Sequence, residues 1–301
     1  MSRGVAVFSA FVLMIQASIF FVQAAPSPSP SPSPSVLGVP LFNGRDLSGW
    51  DTWLGIPHAS VTGLDLPKDE AGKYTAPQGL NTDPKHVFTV VTVDGAPAIR
   101  ISGEMFGALT SQEEFGDFHL RLEFKWGEKK WPPKENAARD SGILYYAVGE
   151  PGAADNKAWM RSLECQVQEH DTGDFWGVGG TGVDVAADVT GEGKERRAVF
   201  RKGAPITSVG GEARRAIKSL DNEKPSGEWN TVEVLCLRGT CVHAVNGKVN
   251  MVLANVLQPG PMGSMVPLTK GRLQIQSEGA EVFYRNITVH SISAFPPGYA
   301  P

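Results

Sequence analysis

His119-Leu120-Arg121-Leu122-Glu123-Phe124-Lys125-Trp126 sets four apolar residues in strict alternation with four polar or charged ones. Successive side chains of a strand point to opposite faces, so this pattern predicts a strand with one face in a core and the other toward solvent. The same reading holds for Leu163, Cys165 and Val167 between Glu164, Gln166 and Gln168, and for Arg272 to Gln276. Thr231 to Leu237 and Ala280 to Val289 are rich in β-branched and aromatic residues, which suit a pleated, half-buried surface. Arg238-Gly239 and Asn246-Gly247 read as two-residue hairpin turns between such runs. Convincing helical periodicity over three turns is absent, and Gly211 to Leu220 is the best short candidate. The expected class is all-β: a sandwich of two antiparallel sheets, with the outer face of one used for binding.

The chain has 301 residues, and 28 Lys+Arg against 32 Asp+Glu leave a net charge of −4. Its pI near 5.9 argues against a nucleic-acid partner, which calls for a basic patch and a domain pI above about 9. Residues 1–24 read as an export signal. Arg3 supplies the positive charge, Gly4 to Val22 is almost free of polar residues, and Val22-Gln23-Ala24 offers small side chains at a cleavage site. A retained membrane anchor is the alternative, because the apolar stretch exceeds the usual signal core of about 7–15 residues; no other membrane partner is expected. Residues 25–36 are a Pro/Ser-rich spacer with no apolar face to bury, and residues 37–296 form the folded domain. The expected location is secreted or periplasmic, in a bacterial envelope.

The turn at Arg238-Gly239 pairs Leu237 with Thr240 and so sets Cys236 opposite Cys241. A cross-strand disulfide forms there if the pair is a non-hydrogen-bonded one; two buried thiols are the alternative. Cys165, on a strand pattern between Glu164 and Gln166, is expected to face the core and be inert. Residues 127–140, including Trp131-Pro132-Pro133, read as a polar loop. Residues 171–228 are Gly-rich and long for a plain connection, which points to a wall or lid of a site.

Several of these segments together resemble the 3-keto-disaccharide hydrolase domain family. They are Leu41-Phe42-Asn43-Gly44-Arg45-Asp46-Leu47-Ser48-Gly49-Trp50, Phe115-Gly116-Asp117-Phe118-His119-Leu120-Arg121-Leu122-Glu123-Phe124, Asp140-Ser141-Gly142-Ile143 and Glu164-Cys165-Gln166-Val167. Gly271-Arg272-Leu273-Gln274-Ile275-Gln276 and Val282-Phe283-Tyr284-Arg285-Asn286-Ile287 are similar to that family's closing strand pair. The resemblance implies a concanavalin A-like jelly roll, exported by bacteria, that cleaves 3-keto-glycosides by elimination followed by hydration. For some members it also implies a divalent metal ion. There are departures. Gln276-Ser277-Glu278-Gly279 places a carboxylate where the family commonly has Gln-x-His-Gly, and Gln168-Glu169-His170-Asp171 supplies a His where the family often has only an acid.

A ketone at C3 acidifies the C2 hydrogen, so the implied chemistry needs a base, a stabiliser for the enolate oxygen and an acid for the leaving oxygen. Glu164, Glu169 and His170 are the catalytic candidates. Arg139, Asp140, Gln166, Trp176, Gln276, Glu278 and Arg285 are the substrate-binding ones, and Glu169, His170 and Asp171 the candidate metal ligands. Glu164 and Gln166 share a face, as do Gln276 and Glu278, because residues two apart in a strand do; Glu169 and His170 are placed at the rim of the same pocket. Arg285 is expected across a hairpin from the Gln276 strand. Trp176 and Trp131 are candidate stacking platforms for a sugar ring, whereas Trp50, Trp126 and Trp229 are assigned to the core. The plain alternative for the acidic strand is a solvated sheet face. For the whole domain it is a noncatalytic carbohydrate-binding module, which an exposed aromatic platform would favour over a recessed polar cluster.

Overall fold

The computed structural model describes residues 38–301. The signal and spacer assigned to residues 1–36 lie outside the described residues.

Strands pair into two sheets. The first runs through Phe88–Val93, Ala96–Ile101, Ala280–Ser291, Phe118–Lys130, Asn230–Leu237, Thr240–Val245 and Lys248–Pro259. The second runs through Gly79–Leu80, Trp50–Leu54, Gly107–Phe115, Gly271–Ser277, Asp140–Val148, Arg161–Gln168, Phe175–Val178, Arg215–Ile217 and Arg197–Phe200. Gly182–Thr190 joins both: its first half pairs with Lys248–Pro259 and its second with Arg197–Phe200. Beside sequential hairpins, several neighbouring strands are far apart in sequence, as Ala280–Ser291 is from Phe118–Lys130, and the chain passes repeatedly between sheets, which makes the molecule a jelly-roll β-sandwich. Pairing is antiparallel except between Arg197–Phe200 and Arg215–Ile217, which run parallel.

Alternation along Phe118–Trp126 survives in the structure. Phe118, Leu120, Leu122, Phe124 and Trp126 are buried, and the residues between them are half-exposed. They pack against Ile143, Tyr145, Leu163, Cys165, Leu273 and Ile275 of the opposite sheet in one continuous core. Two polar ties cross it: Tyr145 Oη to His243 Nε2 at 2.8 Å, and Ser141 Oγ to Tyr284 Oη at 2.8 Å.

Both hairpins form where their turns predict, with Arg238, Gly239, Asn246 and Gly247 all at positive φ. Cys236 and Cys241 are directly opposite, 4.2 Å apart at Cα, and joined by a disulfide. Cys165 is a free, buried thiol whose pKa is raised well above normal by that burial.

Three readings of local structure need correction. Gly211 to Leu220 is not a helix: its middle, Arg215–Ile217, is a strand held by pairing on both sides. Trp229 is half-exposed and not core, its ring lying under the Arg285 guanidinium at 3.8 Å. The Arg161–Gln168 strand is buried on both faces. Its outer face is covered by the loop carrying Lys134, by the four-residue helix Asp155–Ala158 and the Trp159 that follows it, and by Arg214.

Candidate active site

The covered outer face of the second sheet holds a cavity of about 250 Å³ that is partly open to solvent. Asp140, Glu164, Gln166, Gln168, Gln276 and Glu278 project into it, with Trp159, Trp176, Asp155, Arg214 and Lys134 around them. Register explains the gathering. Gly142 pairs with Gln166 and Leu144 with Glu164, while Leu144 pairs on its other side with Gln274. The Glu164 and Gln276 strands are therefore not adjacent; the Asp140–Val148 strand lies between them. Their side chains meet because Gly142 has none. A β-carbon at Gly142 would overlap both Glu164 Oε1 and Gln276 Oε1.

Charge in the cavity is unbalanced toward acid. Lys134 Nζ donates to Asp140 Oδ2 and to Glu278 Oε1, and Gln168 Nε2 donates to Asp140 Oδ2 at 2.6 Å. Arg214 is paired with Asp155. Burial drives the Glu164 carboxyl well above the usual range, and the charges of Glu278 and Asp140 push the same way. Glu278 is pushed up to about 8 by burial and by Asp140, against the pull of Lys134. Burial raises Asp140 too, outweighing Lys134. For Lys134 burial works against the charge, but Glu278 and Asp140 more than restore it. Burial and mutual repulsion thus make Glu164 and Glu278 weaker acids than ordinary carboxyls, beside a Lys134 held by Asp140 and Glu278.

Four buried polar atoms among the described residues have no hydrogen-bond partner: Asp140 Oδ1, Gln166 Oε1, Trp176 Nε1 and Gln276 Oε1. All four residues line this cavity. Buried polar groups are normally paired, and leaving one unpaired costs about 1–3 kcal/mol. Four such atoms, unpaired by protein groups, on residues around one cavity single it out as the candidate site.

Asp140, Glu164, Gln166, Trp176, Gln276 and Glu278 are thus brought together, and the other candidates are placed elsewhere. Glu169 clasps Arg139: the Arg139 backbone N–H donates to Oε2 at 2.8 Å and the guanidinium to Oε1 at 2.7 Å. Burial opposes its charge, but these donors hold the Glu169 carboxyl below the usual range. His170 sits in the turn after the strand at φ 71°, almost fully exposed, with Nδ1 3.4 Å from Asp221. Asp171 is paired with Arg215 at 2.8 Å. Glu169, His170 and Asp171 therefore do not converge as metal ligands, and among the described residues no three His, Cys, Asp or Glu side chains do. Within the cavity, the place between Asp140 and Glu278 is held by the Lys134 ammonium. The set Glu169, His170 and Asp171 does not fit a divalent ion.

Arg285 is on the other sheet. The chain turns at Gly279, φ 82°, out of the Gly271–Ser277 strand and into the first sheet, where Arg285 pairs with Glu123 at 2.8 Å. Trp131 donates its indole N–H to Ser102 O at 2.9 Å and does not line the cavity. Sequence reasoning missed Lys134, Asp155, Gln168, Trp159 and Arg214. Gln168 had a readable signal, being two residues beyond Gln166 on the same face; the rest arrive from loops or other strands.

A model of the 3-keto-alpha-glucoside-1,2-lyase-like domain matches residues 38–290, the whole of the sandwich. The chain belongs to that family. Membership makes it a carbohydrate-active protein, and it covers every residue of the cavity. No curated protein matches the chain. Solved structures similar to it include a proposed glycosyl hydrolase from Parabacteroides distasonis, 18% identical, covering 84% of this chain and 93% of its own at a TM-score of 0.44. A CBM66 carbohydrate-binding module from Bacillus subtilis is 10% identical over 68% of this chain and 92% of its own, with a TM-score of 0.39. A β-glucanase from Bacillus licheniformis is 10% identical over 81% and 93%, with a TM-score of 0.34.

Proposed function

We propose that this member of the family cleaves glycosides whose sugar carries a ketone at C3. A base removes the proton at C2, the enolate expels the C1 oxygen, and water adds across the resulting double bond, so that the sum is hydrolysis. The observation that carries this reading is the recessed cluster of Glu164, Glu278, Asp140 and Lys134 beside four unpaired polar atoms. It is a pocket for a polar molecule with acid and base groups aimed into it, not a flat aromatic platform.

Glu278 is the base in this reading. With a pKa of about 8 its carboxylate is more basic than an ordinary one, as abstraction of a proton from carbon requires. Glu164 is the acid, its carboxyl raised well above the usual range by burial, and it gives its proton to the departing oxygen. Gln166 and Gln276 accept hydroxyl protons from the ring through the oxygens that lack partners. Asp140 holds Lys134 against Glu278. The substrate is thus an oxidised glycoside or oligosaccharide. The apolar residues 4–22 and the Cys236–Cys241 bridge support a site of action outside the cytoplasm.

Glu164→Gln and Glu278→Gln in the full chain, assayed on a 3-keto-glucoside, should each lower turnover by about 10²–10⁴, the usual worth of a proton-transfer group. Glu192→Gln, exposed and outside the cavity, should change it little. Rates equal to the parent's in both cavity variants would remove the acid–base assignment.

A further inference from the structure

The enolate formed at C3 needs a donor for its oxygen, and each of the cavity's two cations is held in an ion pair. Lys134 gives its protons to Asp140 and Glu278, and Arg214 is paired with Asp155. Three of the four unpaired buried atoms, all on residues that line the cavity, are oxygens, which can only accept. The fourth, Trp176 Nε1, can only donate. A sugar ring offers several hydroxyl donors, which suit the three oxygens; a ketone or enolate oxygen can only accept, which suits the indole. We infer that Trp176 Nε1–H is the hydrogen-bond donor that receives the C3 oxygen and stabilises its charge as the C2 proton leaves. This rests on the reading of the site as one for 3-keto-glycosides.

The surroundings hold Trp176 for that role and disfavour a stacking one. The Arg214 and Arg215 guanidiniums each lie 5.3 Å from the indole centre, so ring surface otherwise open to a sugar is taken up by cations. Trp176 pairs across the ladder with Glu164 on one side and Arg215 on the other, which puts its side chain beside that of the proposed acid on the same sheet face. Arg215 is in turn fixed by the fully buried Asp174, accepting from Nε at 2.9 Å and from Nη2 at 2.6 Å, while Asp174 also accepts the Lys218 backbone N–H at 2.9 Å. The indole is therefore pre-oriented before substrate arrives, and a donor that need not reorganise is the kind that lowers a barrier. A neutral N–H also strengthens its bond as charge develops on the oxygen, which favours the transition state over the bound ketone.

The test replaces the donor and keeps the ring. Trp176→Phe, and Trp176 replaced by its benzothienyl analogue with sulfur for the N–H, are compared with the parent chain on a 3-keto-glucoside. The expected result is a fall in kcat of about 10²–10³, as for loss of one oxyanion donor, with KM changed by no more than about threefold. Binding of the corresponding C3-hydroxy glycoside should be unaffected in the benzothienyl protein, which a merely structural loss would not spare. Parent-like kcat in the benzothienyl protein would overturn the inference while leaving the proposed reaction intact. Failure of the parent itself to cleave the 3-keto-glucoside would overturn both.

Discussion

A methyl group at Gly142 would occupy the space in which the Glu164 and Gln276 oxygens approach each other. Gly142→Ala should therefore abolish measurable cleavage while costing about 1–3 kcal/mol of stability, the range for overpacking; parent-like turnover would show that the two side chains need not meet there. Glu278 carries a pH signature. Its folded-state pKa of about 8 lies above the ordinary 4.5, so the folded protein binds more protons than the unfolded chain between those values. Stability from this group is then lost as pH rises through that window. Glu278→Gln removes the effect, so its stability relative to the parent should climb from pH 5 to pH 8, by at most about 1.4 kcal/mol per unit. Urea unfolding at several pH values reads this directly, and parallel profiles for the two proteins would contradict it. Alternation alone put Glu164 with Gln166 and Gln276 with Glu278. Lys134 was not legible, because its partner Asp140 opens one strand while Glu278 follows the end of another and is 144 positions away. A lone lysine in a polar loop gives no sign of them.

Elements tell a similar story about near and far. Arg238-Gly239 and Asn246-Gly247 announced their hairpins because a two-residue turn is decided by its own backbone. Within Gly211 to Leu220, with its helix-forming Ala, Arg, Lys and Leu, Arg215–Ile217 is a strand because pairing with Phe175–Trp176 and Ala198–Val199 overrode local preference. The Arg161–Gln168 strand ends in a turn, which is why Glu169 and His170 leave the face that Glu164 occupies. His170→Ala should leave turnover within about twofold of the parent, as expected for an exposed side chain away from special contacts. Glu169→Gln should act through stability, losing a charged clasp on Arg139 worth about 1.5–3 kcal/mol. A fall in kcat in a fully folded Glu169→Gln protein would restore a chemical role to it. The Cys236–Cys241 bridge closes a sequence separation of five, and loop entropy gives it about 2 kcal/mol. Denatured, unreduced protein should show one thiol per chain, from Cys165; three would mean the bridge is absent.

At the scale of the molecule, the sandwich gives each sheet one face to the core and leaves the second sheet's outer face to be roofed by loops. That division was legible from strand periodicity. Which strands share a sheet was not, and Arg285 shows why: it follows Gln276 closely in sequence yet lies on the opposite layer. Roofing matters for the chemistry, since it buries Glu164 and Glu278 and so raises both carboxyls above the usual range. The most direct measurement is cleavage by the full chain in D2O, with a 3-keto-glucoside and its C3-hydroxy counterpart compared by NMR. Elimination and hydration predict release from the ketone only, and a 3-keto-sugar product carrying deuterium at C2. Release from both glycosides at similar rates, or a product with its C2 hydrogen unexchanged, would contradict the mechanism.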